Sequence, residues 1–151
     1  MKPMKPVKPM KPRLADDRRC FACGPDNPNG LRMTFDYGDG TAKSRVVPRR
    51  EFGGWSNIMH GGIVATLLDE AMAHAAIGAG ERAVTARIEV RFRKAVPTDV
   101  PLVVEGRVQG RRGRVMEMES TLSGEDGTLY AEGKARFLTE LETPEAAGER
   151  G

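Results

Sequence analysis

The sequence predicts an α+β fold in which a curved antiparallel sheet wraps one long central helix. Three observations carry the prediction. Only one stretch, from Ile63 to Ala79, is proline-free, long and built mostly of good helix formers. Nearly every face of that stretch is apolar, which marks a buried helix rather than one lying on a surface. The segments around it read as strands, two before and four after. A single sheet can cover such a helix only in part, so a second copy must close the remainder, and the chain is expected to be dimeric or higher.

The 151 residues suit one domain of ordinary size. No run of 18 apolar residues occurs, so no membrane-spanning helix is expected. The N-terminus has lysines but no apolar core of a secretory signal. Two cysteines cannot make a disulfide framework, so a reducing cytoplasm is the expected location. The formal charge of +3 is misleading. Residues 1–13 hold five bases and no acid, leaving 19 bases against 21 acids in the rest. The basic character belongs to this tail, so no nucleic-acid partner is expected for the domain.

In chain order, residues 1–12 repeat Met/Val-Lys-Pro with a period of three. Proline at every third position forbids helix and sheet ladders, so 1–13 is expected to be a disordered Lys/Pro tail. The domain is expected over 14–139, with a turn-rich leader at 20–30. Leu31, Met33, Phe35 and Tyr37 then alternate with polar residues, as a strand does. Gly38-Asp39-Gly40 is a turn, and Thr41–Val47 returns as the second strand. An irregular stretch, 48–60, leads to the helix, which Gly78 and Gly80 stop. Val84–Arg93 alternates, with Val84, Ala86, Ile88, Val90 and Phe92 on one side and Thr85, Arg87, Glu89, Arg91 and Arg93 on the other. Leu102–Val108, Arg114–Leu122 and Thr128–Leu138 follow, separated by turns at 110–113 and 124–127. Residues 140–151 read as a C-terminal tail.

At 100° per residue the helix has two faces. Val64, Leu67, Leu68, Ala71 and Ala75 face the sheet. Gly62, Ala65, Thr66, Asp69, Ala73 and Ala76 form a second face of small residues around one carboxylate. Small residues admit the close approach of a ligand or another backbone. An aspartate there is a candidate general base or nucleophile, because burial would raise its pKa. Glu70 points about 100° away and lies four residues before His74, so a structural ion pair is expected for it. His60-Gly61-Gly62 opens the helix, where the first amides have no internal partners and face the positive end of the dipole. Such amides suit the oxygen of a carbonyl turning tetrahedral. Eight residues at about 1.5 Å rise separate Gly61 from Asp69 by roughly 12 Å. One helix therefore cannot serve both ends of one carbonyl, and a catalytic site needs two antiparallel copies.

Cys20-x-x-Cys23 has the spacing of a metal or redox pair. No four-ligand set is legible around it, and it opens a Gly/Pro/Asn turn rather than a helix, so a packed turn without metal is expected. No phosphate-binding glycine loop occurs.

The run His60-Gly61-Gly62-Ile63-Val64-Ala65-Thr66-Leu67-Leu68-Asp69-Glu70-Ala71-Met72 resembles the signature of hotdog-fold acyl-CoA thioesterases of the phenylacetic-acid-degradation (PaaI-like) type. The leader from Cys20 to Leu31 resembles that of one branch, and Thr85–Pro97 resembles the family's third strand. The resemblance implies hydrolysis of an acyl-CoA to acid and CoA by homodimers, often tetramers, without metal or prosthetic group. It implies Asp69 as base or nucleophile, Gly61 of the opposite subunit as carbonyl donor, and Thr85 as a hydroxyl that orients water. The expected substrate-binding positions are His60, Gly62, Asn57, Trp55, Arg91 and Arg93. The acyl group expected is small, aromatic or medium-chain. Many members carry Asn or Gln six or seven residues before the motif histidine, where this chain has Gly54 and Gly53. The alternative is a hotdog protein that binds acyl-CoA without hydrolysing it.

Overall fold

The computed structural model describes residues 14–140; the expected tails at 1–13 and 141–151 lie outside the described residues. Six strands and one α-helix follow in the expected order, with a 3-10 turn at Arg50–Phe52 in the stretch before the helix. Strands β1 (Asp36–Gly38) and β2 (Thr41–Val46) precede helix α1 (Gly61–Gly78). Then come β3 (Ala83–Phe92), β4 (Leu102–Arg112), β5 (Val115–Gly124) and β6 (Leu129–Thr139). They form one antiparallel sheet in the order β1-β2-β4-β5-β6-β3.

The sheet covers one side of α1. Val64, Leu67, Leu68, Ala71 and Ala75 are all buried, as the helical spacing predicts. They join Leu102, Val104 and Leu122 at one end of the core, and Met116, Met118 and Phe137 at the other. Closest contact falls at Gly106 of β4, where any side chain would collide with the Ala71 carbonyl. Gly62, Ala65, Thr66, Asp69 and Ala73 remain partly exposed on the opposite face. Ala76, expected with them, is instead buried among Ala42, Met72 and Phe137.

Three elements differ from the sequence reading. The first strand is short, because residues before Asp36 spend their amides on the leader. Leu31 N–H donates to the Phe21 carbonyl (2.8 Å) and Met33 N–H to Ala22 (2.9 Å), with Arg32 between them in the left-handed region. The β4–β5 turn is tighter than the expected 110–113. Its strands run to Arg112 and from Val115, with Gly113 at φ +59°.

The third difference bears on function. β3 pairs with β6 through Thr85↔Phe137 and then Arg87↔Arg136, so Ala86 is an extra residue in a bulge. Directly opposed residues in an antiparallel pair share a face. Thr85 therefore lies with inward-facing Phe137. Beyond the bulge, Ile88, Val90 and Phe92 face inward opposite Ala135, Gly133 and Ala131. Strict alternation groups Thr85 with the charged residues; the bulge turns it toward the helix. β3 is also one of the sheet's two edges, and its inward Ile88 and Phe92 stay 38% and 54% exposed.

Candidate active site

Asp69 sits on the half-open face of α1, directly across from the bulge. Thr85 Oγ1 donates to its Oδ1 at 2.6 Å. The other hydroxyl of that helix face is spent locally, since Thr66 Oγ1 donates to the Gly62 carbonyl at 2.9 Å. Burial pushes the Asp69 carboxyl above its ordinary value; the Thr85 bond opposes that shift and the charge of Glu70 adds to it. Asp69 is thus a carboxylate with one fixed oxygen and raised basicity.

The helix start gives the two glycine amides different surroundings. His60 is the N-cap, and its Nδ1 accepts the Gly62 N–H at 2.9 Å. A neutral His60 ring therefore carries its proton on Nε2. Ile63 and Val64 donate to the His60 carbonyl. Among the described residues, the Gly61 N–H meets no protein acceptor. Gly62, expected to bind substrate, has its amide occupied, so Gly61 is the available donor. The Phe92 ring lies beside Gly61, about 3.7 Å from where a Cβ would stand. Sequence reasoning missed Phe92, which only the β3 register brings there.

The remaining expected residues are scattered. Asn57 adopts φ +62° in the loop before α1, and its carbonyl accepts the Thr98 N–H at 3.1 Å. Its structural task is this turn. Trp55 is 84% exposed, beside a shallow recess formed with Gly54, Met59, His60 and Gly61. Arg91 and Arg93 are not brought to Asp69. Arg91 stands opposite Glu132 on the sheet face turned away from α1, and Arg93 pairs with Glu132 at 2.7 Å. They line a groove of about 350 Å³ on that outer face.

Glu70 behaves as its spacing predicts. His74 Nε2 lies 3.0 Å from Glu70 Oε1. The structure adds partners no local pattern announces. The Tyr37 hydroxyl is 2.7 Å from His74 Nδ1, and Phe35 stacks on the imidazole at 4.0 Å. Cys20 Sγ lies 3.5 Å from Glu70 Oε1, across 50 residues of sequence. Burial alone would raise the Glu70 carboxyl, but bonds from His74, Cys23 and Cys20 carry it below its usual value. Burial and the neighbouring carboxylate push the Cys23 thiol up.

A family model for the thioesterase superfamily matches residues 56–131, half of the chain, spanning α1, β3, β4 and β5. The chain belongs to the thioesterase superfamily. It is 31% identical over 86 residues to mouse (Mus musculus) acyl-coenzyme A thioesterase THEM4, covering 56% of this chain and 37% of that protein. The chain therefore spans well under two thirds of that relative's length. The solved thioesterase superfamily protein RHA08564 superposes with a TM-score of 0.76 at 24% identity, over 80% of this chain and 63% of that one. The E. coli PaaI protein from the phenylacetic acid degradation operon gives 0.69 at 17% identity, over 75% and 83%. The sheet-wrapped helix of this superfamily member is the hotdog fold. No helix among the described residues is long and apolar enough to cross a membrane.

Proposed function

We propose that this chain hydrolyses the thioester of an acyl-CoA to the free acid and CoA thiol, in a site shared by two subunits. The observation that carries the reading is Asp69. It is a half-buried carboxylate on a helix face otherwise made of small, uncharged residues, held through Oδ1 by Thr85. Oδ2 is left to take a proton from water or to attack the carbonyl carbon, and both roles need the ionised form. A carboxylate of raised pKa that is still ionised near neutrality is a better base than an exposed one.

The second half of the reaction needs donors for the carbonyl oxygen as it gains charge. Gly61 N–H, at the positive end of α1 and without a protein acceptor, suits that role. It stands about 12 Å along the axis from Asp69 of its own chain. Pairing two copies antiparallel brings Gly61 of one helix to Asp69 of the other, and would cover the partly exposed Ala65, Ala73, Ile88 and Phe92. The homodimer, or a tetramer built from it, is thus part of the proposal.

Membership of the superfamily and the THEM4 likeness support a CoA thioester as substrate. Small, aromatic and medium-chain acyl groups are the expected range. The two free cysteines agree with a cytoplasmic setting. The test is a thiol-release assay over a panel of acyl-CoAs spanning those classes. Turnover that disappears in Asp69→Asn supports the reading. Tight acyl-CoA binding with no thiol release from any member would overturn it in favour of a non-catalytic binder.

A further inference from the structure

Three potential metal ligands converge on the side of α1 that thioester chemistry leaves unused. The Sγ atoms of Cys20 and Cys23 and a carboxylate oxygen of Glu70 all lie within 4.8 Å of one another, each residue half-buried. Around a tetrahedral zinc, sulfur and oxygen ligands stand roughly 3.5–3.8 Å apart. Cys20 Sγ and Glu70 Oε1 are already at 3.5 Å. Closing the trio on an ion takes at most about 1 Å of further movement.

The surroundings fit this use. The Cys23 N–H points at Cys20 Sγ (3.5 Å), and the Gly24 N–H closes the turn on the Cys20 carbonyl (2.8 Å). Any side chain at position 24 would collide with the Cys20 backbone, so the turn that presents both sulfurs requires glycine. Glu70 in turn is oriented by His74, and His74 by Tyr37 and Phe35. Carboxylate ligands are commonly supported by such an outer shell.

We propose that Cys20, Cys23 and Glu70 bind one zinc ion, with water at the fourth position and His74 as the positioning group for Glu70. Two thiolates select a soft or borderline divalent ion, and zinc accepts the added carboxylate. Each ion bound displaces two thiol protons to solvent, and nothing is oxidised or reduced. The consequence of the site is to anchor the leader, and its water-bearing fourth position distinguishes it from a closed four-ligand centre. Residues 14–35 contain no helix or strand, and the ion ties this leader to the middle of α1, one residue from Asp69. The proposal does not rest on the thioesterase reading, and its readouts do not use hydrolysis.

The test uses the full chain, tag-free and reduced. Zinc is added, excess removed, and metal counted by elemental analysis. One zinc per chain is expected, with two protons released per ion, a raised melting temperature and protection of both thiols from a thiol reagent. Cobalt(II) in its place should show thiolate-to-metal charge-transfer bands. Cys20→Ser and Cys23→Ser should each lose stoichiometric binding, and Glu70→Gln should weaken it at least about 10-fold. Should these variants fail to fold, thiol protection in the parent chain still decides, because zinc must slow modification of both cysteines. Absence of stoichiometric zinc, cobalt spectra without thiolate bands, or binding that survives both serine variants would overturn the proposal. So would a chain that ignores zinc and instead closes a Cys20–Cys23 disulfide in air.

Discussion

Asp69 and Glu70 are neighbours on one helix, yet they lead opposite chemical lives. Asp69 faces the open side of α1 and keeps one donor, Thr85. Glu70 faces the leader and collects His74 and the two cysteines. Both are largely withdrawn from water, which alone would raise both pKa values. The donor count decides the outcome: one bond leaves Asp69 raised, and several carry Glu70 below its usual value. Adjacent carboxyls driven apart in this way have separate tasks. In the proposed reaction the under-satisfied one is the group that meets substrate; the saturated one is held in place by its donors.

The largest expected effect is at Asp69. Asp69→Asn keeps the volume and can still accept the Thr85 hydroxyl, but it can neither take a proton nor attack. Steady-state thiol release should fall by about 10²–10⁴-fold. Stability should hold or rise at neutral pH. The sign follows from linkage: the folded pKa lies above the unfolded one, so an ionised Asp69 opposes folding once pH exceeds the unfolded value. A variant within a few-fold of parent turnover would remove Asp69 from the mechanism.

Next comes Gly61→Pro. His60 has φ −59° and ψ 132°, a conformation that tolerates a following proline, and Gly61 is the first helical residue, where proline is favoured. The substitution deletes an N–H with no protein acceptor and should leave the fold intact. Loss of one such donor typically costs about 10²–10³-fold in rate. Mixing this variant with Asp69→Asn then tests sharing. A heterodimer has one doubly defective site and one intact at both positions. Activity should return, up to about half the parental level of each heterodimer. Exchange of subunits with no recovery would place both groups in a single chain.

Thr85→Val should be smaller. A hydrogen bond to a charged group contributes about 1.5–3 kcal/mol, so the expected loss is about 10- to 100-fold. The pH profile is more telling. The Thr85 bond holds Asp69 down, so its removal should move the acid limb of kcat/KM to higher pH. A limb that stays fixed would mean that Thr85 does not act through Asp69.

Much of this arrangement was legible in the sequence, for reasons that also explain the omissions. The ββ-α-ββββ order and the buried helix face come from local periodicity, which survives folding. The Asp69 face was visible because helical spacing is regular. The bulge at Ala86 was not, because a register shift is decided by the partner strand, and it alone turns Thr85 inward. The resemblance already implies Gly61 as the donor, but the physical reason, that the His60 ring occupies the Gly62 amide, is visible only in the structure. The Cys20–Glu70 contact spans 50 residues and follows from no local pattern. Arg91 and Arg93 are expected substrate-binding positions, and pairing with β6 sets them on the outer face beside Glu132 rather than beside Asp69, which no local pattern decides.

The smallest effect on turnover should be that of Glu70→Gln, measured in the metal-free chain. Its carboxylate faces the leader, so hydrolysis should stay within a few-fold of the parent. Stability should not. A neutral amide replaces an acceptor that His74 and the cysteine thiols all address, and its NH₂ sets a donor against donors. Unsatisfying such buried groups costs about 1–3 kcal/mol. The sign of the pH dependence is opposite to that of Asp69. Glu70 has its folded pKa below the unfolded value, so its contribution is present above the unfolded value and is lost as pH falls through the folded one. Urea unfolding at neutral and acidic pH should therefore show a gap between parent and variant that narrows in acid. A constant gap would mean that the Glu70 charge is not what its donors hold. A loss of turnover matching that of Asp69→Asn would exchange the roles of the two carboxylates.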